Sequence, residues 1–545
     1  MSTVERRRAS SSTHEVFNQP PPLEGYNLFA QDTVLRESVE REAGPWGLGR
    51  LERLGETLGG EPLRLGVLAD RNPPQLRTHD RYGNRIDEVE FHPAWTELLE
   101  LGIRAGIPSL PWREPQPGAH VVRGAMLYLL SQAEAGVGCP LSMTYASIPA
   151  IRHTPSLAAE WEPRLTDPDP ATSALCGMAM TEKQGGSDVR ANTTRAEPAG
   201  HPGMYELTGH KWFCSHPTSD AFLVLAQAPG GLSCFLLPRI LPDGAKNGFH
   251  IQRLKDKLGT RSLASAEVEV DHAVAWMVGE EARGVPTIIE MVNHTRLDCV
   301  LGSAAVMRRA VAEATHHATF RSAFGAPLLE QPLMQNVLAD LCVESEAATL
   351  VALRLARAFD PGAEPQFQRL ATPVAKFWVC KRATPLVVEA LECLGGNGYV
   401  EESPMPRLLR DSPLNAIWEG PGNVIALDVL RALAKDPAAF DAFLAEVELA
   451  AGLDERLDAF VSKIRDQVPG LAEEPASAQY AARGIAERLG IALQASLVVR
   501  HSPPAVAEAF LSTRVAGAAG GAFGTLPPGV DCAAIVERHR PTLAA

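Results

Sequence analysis

The spacing of apolar residues changes twice along this chain, and those two changes restrict what it can fold into. Up to about residue 175 apolar residues recur at helical intervals, as in Trp95, Leu98, Leu99 and Leu101, then Ala125, Leu129 and Ala133. Between 176 and 285 the runs shorten. Tyr205–Lys211, Ala221–Gln227, Leu232–Leu237 and Ala266–Val270 read as strands, with turn signals at Pro229-Gly230-Gly231 and Pro242-Asp243-Gly244. Helical spacing returns after Gly284, in Leu301, Ala304, Ala305, Ala310, Val311, Ala314 and Ala318. The fold class expected is α+β, a β-domain held between two helical regions.

The boundaries follow from the same texture. Residues 1–175 form an arm and a helical domain, 176–285 a small barrel or sandwich, 286–435 a four-helix bundle, and 436–545 a helical extension. The arm, with Pro20-Pro21-Pro22, is read as irregular and its first few residues as disordered. Asn72-Pro73-Pro74 breaks a helix, and another starts at His92-Pro93. The stretch Leu141–Ile151 reads as a buried helix, so the first domain is expected to be all-helical. The long helix through Leu301 carries Arg308 and Arg309 on its polar side and ends near Phe324-Gly325. Gly395-Gly396 stops a later helix, and Gly517–Gly529 reads as a linker or mobile loop.

Composition narrows the function classes. The formal net charge of −14 over 545 residues opposes a global nucleic-acid-binding role. Nine scattered cysteines with no Cys-x-x-Cys pair fit reduced thiols and a cytoplasmic enzyme, not a disulfide framework or a zinc site. Arg6-Arg7-Arg8 precedes polar residues, not the apolar run of a secretory signal, and no apolar stretch reaches membrane-spanning length. No metal-ligand spacing, Ser/His/Asp order or phosphate loop stands out, and His316-His317 read as structural.

Several stretches could carry chemistry. Ile417-Trp418-Glu419-Gly420-Pro421-Gly422-Asn423 lies where a loop enters a helix. A carboxylate beside Trp418 in a dry pocket would have a raised pKa suited to a general base; an ordinary first-turn Glu facing water is the alternative. Thr181, Gly185, Gly186 and Ser187 offer backbone N–H groups and hydroxyls in one turn, as a pyrophosphate or a ring edge requires. Lys211-Trp212-Phe213-Cys214-Ser215, just after a strand, puts aromatics beside a hydroxyl; a half-buried strand end is the alternative. Arg321 at a helix end suits the helix dipole, and equally a phosphate.

Together, in this order, these pieces resemble the acyl-CoA dehydrogenase superfamily, and within it the AidB-type branch of alkylation-response flavoproteins. The resemblance rests on Met180-Thr-Glu-Lys-Gln-Gly-Gly-Ser-Asp-Val189, Gly209–Ser215, Leu254-Lys-Asp-Lys-Leu-Gly259 and Thr13-His-Glu-Val-Phe-Asn-Gln-Pro20. It implies FAD as cofactor and an acyl-CoA-like substrate. By the match, Glu419 is the catalytic base, the earlier-helix base position being Thr295, which cannot serve. Met180, Thr181, Gly186, Ser187, Phe213, Cys214, Ser215, Trp418, Gly420 and Asn423 would meet the flavin nucleotide. Arg321, Phe324, Gly395 and Gly396 would reach FAD of a neighbouring subunit, which implies a homotetramer. Arg296 would lie by the thioester. The reaction implied is α,β-dehydrogenation, with modest activity toward short or branched chains. The competing function is a DNA-associated flavoprotein with little turnover. Residues 434–545 hold ten basic and fourteen acidic side chains, so any duplex binding is expected to be weak and salt-sensitive.

Overall fold

The computed structural model describes residues 13–362, 364–468 and 475–543. The expected disorder of the first residues and the Arg6–Arg8 run lie outside the described residues. The N-terminal region is built from α1 (Thr33–Ala43), α2 (Leu48–Leu58), α3 (Glu61–Arg71), α4 (Pro93–Ala105), α5 (Leu110–Arg113), α6 (Ala119–Ala133), α7 (Gly138–Ile151) and α8 (Pro155–Leu165). α6 and α7 are buried along almost their whole length, as the unbroken apolar and small residues of α7 require.

This region is not all-helical. β1 (Gln75–His79) and β2 (Arg85–Glu90) form an antiparallel hairpin. Asp80 closes its turn by accepting the N–H groups of Tyr82 and Asn84, and Gly83 takes φ +86°. The strands are mostly polar, and apart from Ile86 their apolar residues are the opposed pair Leu76 and Val89, which packs on the β-domain core. So little apolar alternation gives no strand signal.

The middle region contains β3 (Cys176–Ala179), β4 (Arg195–Pro198), β5 (Met204–Ser215), β6 (Ala221–Ala228), β7 (Gly231–Pro238), β8 (Phe249–Leu254) and β9 (Ser265–Val278). Pairing runs β4–β5–β9–β7–β6 and returns to β4, so the sheet closes on itself. β3 adds to β6 and β8 to β9. The domain is therefore a barrel; Leu207, Phe222, Val224, Phe235, Val268 and Val270 fill it. Closure leaves few free strand edges.

The C-terminal region is dominated by α9 (Gly284–Phe320), α10 (Pro332–Arg357), α11 (Pro365–Cys393) and α13 (Gly422–Lys435), with short α12 (Met405–Asp411) before the last. α9 begins at Gly284, a full stretch earlier than the apolar pattern from Leu301 indicates. Arg308 and Arg309 are not on a polar side. Both are buried, paired with Asp32 and Glu313, and they bond Gln31 O, Leu23 O and the Tyr26 hydroxyl. They fasten the arm to the bundle. The extension supplies α14 (Pro437–Val447), α15 (Glu455–Gln467), α16 (Pro475–His501), α17 (Pro504–Phe510) and α18 (Cys532–His539). The Gly517–Gly529 stretch is not free: Gly524 N–H meets Asp340 at 2.9 Å, and Leu526 exchanges two hydrogen bonds with the Asn336 amide on α10.

Candidate active site

Glu419 does not sit in the first turn of a helix. It lies in the loop before α13, in the left-handed region at φ +59°, followed by Gly420 at φ +112°. A side chain at such a φ costs about 1–3 kcal/mol, so surrounding contacts must hold it. Two cations do so. Arg296 Nε donates to Glu419 O at 3.2 Å, and Lys376 Nζ donates to Gly420 O. Trp418 is half-buried beside them, its indole N–H on Asn415 Oδ1 at 2.9 Å.

The Glu419 carboxyl is enclosed, and Oε2 has no hydrogen-bond partner among the described residues. Burial raises its pKa above the ordinary carboxylate range. Thr295, within hydrogen-bonding reach, and the charges of Arg296 and Lys376 oppose that rise, while Asp298 adds to it. Asp298 itself is held by Arg123 and Ser142, and Arg123 lies 3.6 Å over the Tyr145 ring. Those contacts fix α6 and α7 against α9 behind the base.

The β-domain face is fixed by a buried ion pair. Glu182 is fully enclosed and accepts from Lys211 Nζ at 2.9 Å, from both N–H and hydroxyl of Thr193 and Thr194, and from Gln184. It anchors the turn holding Thr181, Gly186 and Ser187. Thr181 O accepts the Trp212 N–H at 2.9 Å, joining that turn to β5. Gly186 is required, because a Cβ there would stand 2.4 Å from the Thr181 hydroxyl. Met180 O is held by Asn192 at 2.9 Å. The segment Lys211–Ser215 lies within β5, not after it, and the register shifts between Lys211 and Cys214, so both of these side chains are buried although three residues apart. Phe213 is 55% exposed on the outer face, whereas Cys214 points into the barrel core, where burial raises its thiol pKa. The expectation that Cys214 meets the cofactor is thereby corrected: its thiol faces away.

Cys139, at the start of α7, joins the two faces. The Ser215 hydroxyl reaches its thiol and Glu419 lies nearby; burial first, then that carboxylate, pushes the thiol up to about 12. A half-exposed phenyl ring at Phe213 with the Lys255 ammonium 4.7 Å over it, hydroxyls at Thr181, Ser187 and Ser215, and a carboxylate with one oxygen free together fit a planar ring system with a polar tail. Two further site residues are engaged within the protein. Arg296 places Nη1 on Asp428 at 2.7 Å and Nε on the Glu419 carbonyl. Asn423 is held by Arg483 of α16 at 2.9 Å.

Arg321, Phe324, Gly395 and Gly396 form a second group with the arm. Arg321 Nη1 donates to Asn18 O at 2.7 Å, and Asn397 donates to Gln19 Oε1 at 3.1 Å. Phe324 is wholly exposed at φ +53°, and the two glycines face open space. Sequence reasoning missed Lys376, Asp298 and the Glu182–Lys211 pair. A lysine inside the apolar run Val374-Ala375-Lys376-Phe377 was a readable signal; the other two are contacts between distant stretches.

Sequence comparison agrees with this geometry. Residues 18–169 match the adaptive response protein AidB N-terminal domain, 177–273 the acyl-CoA dehydrogenase middle domain, and 282–434 the acyl-CoA dehydrogenase C-terminal domain. The chain is 45% identical to AidB of Escherichia coli (strain K12), covering 91% of this chain and 94% of that one. It is 33% identical to acyl-CoA dehydrogenase family member 11 of Caenorhabditis elegans, covering 81% and 76%. The crystal structure of C. elegans ACDH-11 in complex with C11-CoA superposes with a TM-score of 0.86 at 28% identity, over 99% of this chain and 95% of that one. The chain belongs to the AidB-like branch of the acyl-CoA dehydrogenase family of FAD-dependent oxidoreductases.

Proposed function

We propose that the chain dehydrogenates an acyl-CoA thioester between its α and β carbons, with Glu419 as the base. The observation that carries this reading is the enclosed Glu419 carboxylate with Oε2 free of protein partners. Its burial raises its proton affinity toward that of a working base. Thr181, Ser187, Phe213 and Ser215 would hold the isoalloxazine and pyrophosphate of FAD. Bound FAD supplies the acceptor for the β-hydride. Glu419 takes the α-proton, and the Glu419 N–H, which donates to no described residue, is available to the thioester carbonyl as enolate charge develops. Arg296 and Lys376 hold this loop through the Glu419 and Gly420 carbonyls.

Short or branched acyl chains are the first substrates to try; the C11-CoA complex of the C. elegans relative adds medium-length chains to the panel. The second group, Arg321, Phe324, Gly395 and Gly396, supports assembly into a homotetramer in which it meets FAD of a neighbouring subunit. A cytoplasmic location remains part of this reading; among the described residues no helix is long and apolar enough to cross a membrane.

A DNA-associated role in the alkylation response is the second reading. The extension disfavours tight binding. Arg456, Arg465, Arg500, Arg514, Arg538 and Arg540 are all engaged by carboxylates, which leaves few cations for phosphates.

The deciding experiment is anaerobic flavin reduction by a panel of acyl-CoAs. Glu419→Gln should slow it about a hundredfold to ten-thousandfold at matched FAD content. Equal rates would place the base elsewhere.

A further inference from the structure

Lys376 is 1% exposed and sits on α11 directly beneath the Glu419 loop. Its ammonium donates to Gly420 O, and among the described residues it forms no ion pair. Burying a charge is costly unless an opposite charge or hydrogen-bond acceptors lie close. The neighbouring Arg296 differs. Arg296 pairs with Asp428, which also binds Arg369 and Arg431, so one carboxylate is shared among three guanidinium groups. Two groups near the loop form no ion pair among the described residues: the Lys376 ammonium and the Glu419 carboxylate, whose Oε2 accepts no hydrogen bond.

Of the other groups facing Glu419, Arg296 alone brings positive charge. From α9 come Thr295, which is neutral, Arg296, which favours the ionised carboxylate while it is also paired with Asp428, Asp298, which carries the wrong sign, and Cys299, a thiol raised by burial. From α7 comes Cys139, likewise a neutral thiol.

We propose that Lys376 is a positioning residue: its ammonium pins the Gly420 carbonyl, so holding Glu419 in its left-handed conformation, and beside Arg296 it is the counter-charge that lets Glu419 ionise inside a closed site. The proposal rests on the reading of Glu419 as the base. It gives Lys376 a role that does not involve touching substrate. Removing it loosens the loop and leaves the carboxylate with its proton.

The test is a pair of titrations on the FAD-loaded protein, neither of which needs turnover. The Glu419 carboxyl is followed by infrared difference spectroscopy, wild type minus Glu419→Gln, across pH. Lys376→Met should raise its midpoint by about one pH unit or more, and Lys376→Arg should restore most of that change. The reciprocal arm uses ε-¹³C-lysine NMR, with the Lys376 signal assigned by its loss in Lys376→Met or Lys376→Arg. Glu419→Gln should lower the Lys376 titration midpoint, because coupling between two sites acts equally on both. If Lys376→Met does not fold, Lys376→Arg serves the assignment and the reciprocal arm decides. An unchanged Glu419 midpoint in folded Lys376→Met, or an unchanged Lys376 midpoint in Glu419→Gln, overturns the proposal. Loss of flavin reduction in Glu419→Gln with no coupling would sink the Lys376 role alone. Coupling with undiminished reduction in Glu419→Gln would sink the base assignment instead.

Discussion

Asn18 and Ser322 pair edge to edge across the arm: Asn18 Nδ2 donates to Ser322 O at 2.9 Å, and Asn18 Oδ1 accepts the Ser322 N–H at 2.7 Å. The side-chain amide thus stands in for one residue of a β-ladder. Asn18 is itself left-handed, at φ +58°, which Asn tolerates better than most residues. That backbone turn aims the Asn18 carbonyl at Arg321. The arm motif and the helix-end motif are therefore one structure.

Asn18→Ala removes both amide bonds and strains the turn. Arg321 then loses its fixed direction. Less FAD should survive gel filtration, measured as absorbance per chain, with the loss matching that of Arg321→Ala. Full retention in Asn18→Ala would show that the arm does not orient Arg321.

The Glu182–Lys211 pair predicts an asymmetry between single and double variants. Breaking a buried pair by removing one partner costs about 3–5 kcal/mol, because the other charge is left unpaired. Lys211→Met and Glu182→Gln should each lower the unfolding temperature and release FAD. The double variant should recover part of the stability. The pair has an acid limit as well. Burial acts to raise the Glu182 pKa, but Lys211 and the Thr193 and Thr194 donors overcome it and hold the carboxyl well below its ordinary range. A depressed pKa contributes stability above the unfolded value of 4.5 that is lost as pH falls toward the folded one. Unfolding temperatures of wild type and Glu182→Gln measured from pH 3 to 7 should converge at the acid end.

His539 ties α18 to α10 through Glu346 at 3.0 Å, while Arg538 bridges Glu346 to Glu37 of α1. Burial alone would lower the His539 pKa; contacts with Cys342 and Glu346 raise it to about 10. Such a group contributes fully below its unfolded value of 6.5 and loses its contribution as pH rises through about 10. His539→Gln should therefore destabilise the protein most near pH 6 and least above pH 10. It should also expose the C-terminal helix to limited proteolysis at neutral pH. Identical digestion of both proteins would remove this latch from the account.

The order of helices, barrel and bundle was legible because each change of hydrophobic period spans a hundred residues or more. Glu419 was legible as a reactive carboxylate because Trp418 and the glycines around it mark a tight loop. Its backbone conformation was not, since nothing local requires φ +59°; Arg296 and Lys376, distant in sequence, impose it. Arg308 and Arg309 were misplaced for the same reason. A helical arginine pair reads as a solvated face unless Asp32 and Glu313 are known to lie against it. Cys214 was misplaced because Lys211–Ser215 continues the strand, and a register shift after Lys211, which nothing local announces, turns Cys214 inward.

The state of Glu419 also predicts a conflict between stability and activity. Burial raises its pKa, so the folded protein disfavours the ionised form that abstracts a proton. A group with a raised folded pKa contributes its stability below the unfolded value of 4.5 and loses it as pH rises through the folded value. The enclosed carboxylate is thus a cost that grows with pH. Glu419→Gln, which cannot ionise, removes the cost along with the base. Its unfolding temperature should exceed that of wild type at pH 8, and the gap should close at pH 4. Flavin reduction by the best acyl-CoA should move the opposite way in wild type, rising with pH as Glu419 loses its proton, and that rise should be missing in the variant. When Lys376→Met is introduced into both proteins, the stability gap between them at pH 8 should widen, because the carboxylate then keeps only Arg296 of its two nearby cations. A Glu419→Gln protein no more stable than wild type at pH 8 would mean that the site already neutralises its carboxylate without substrate.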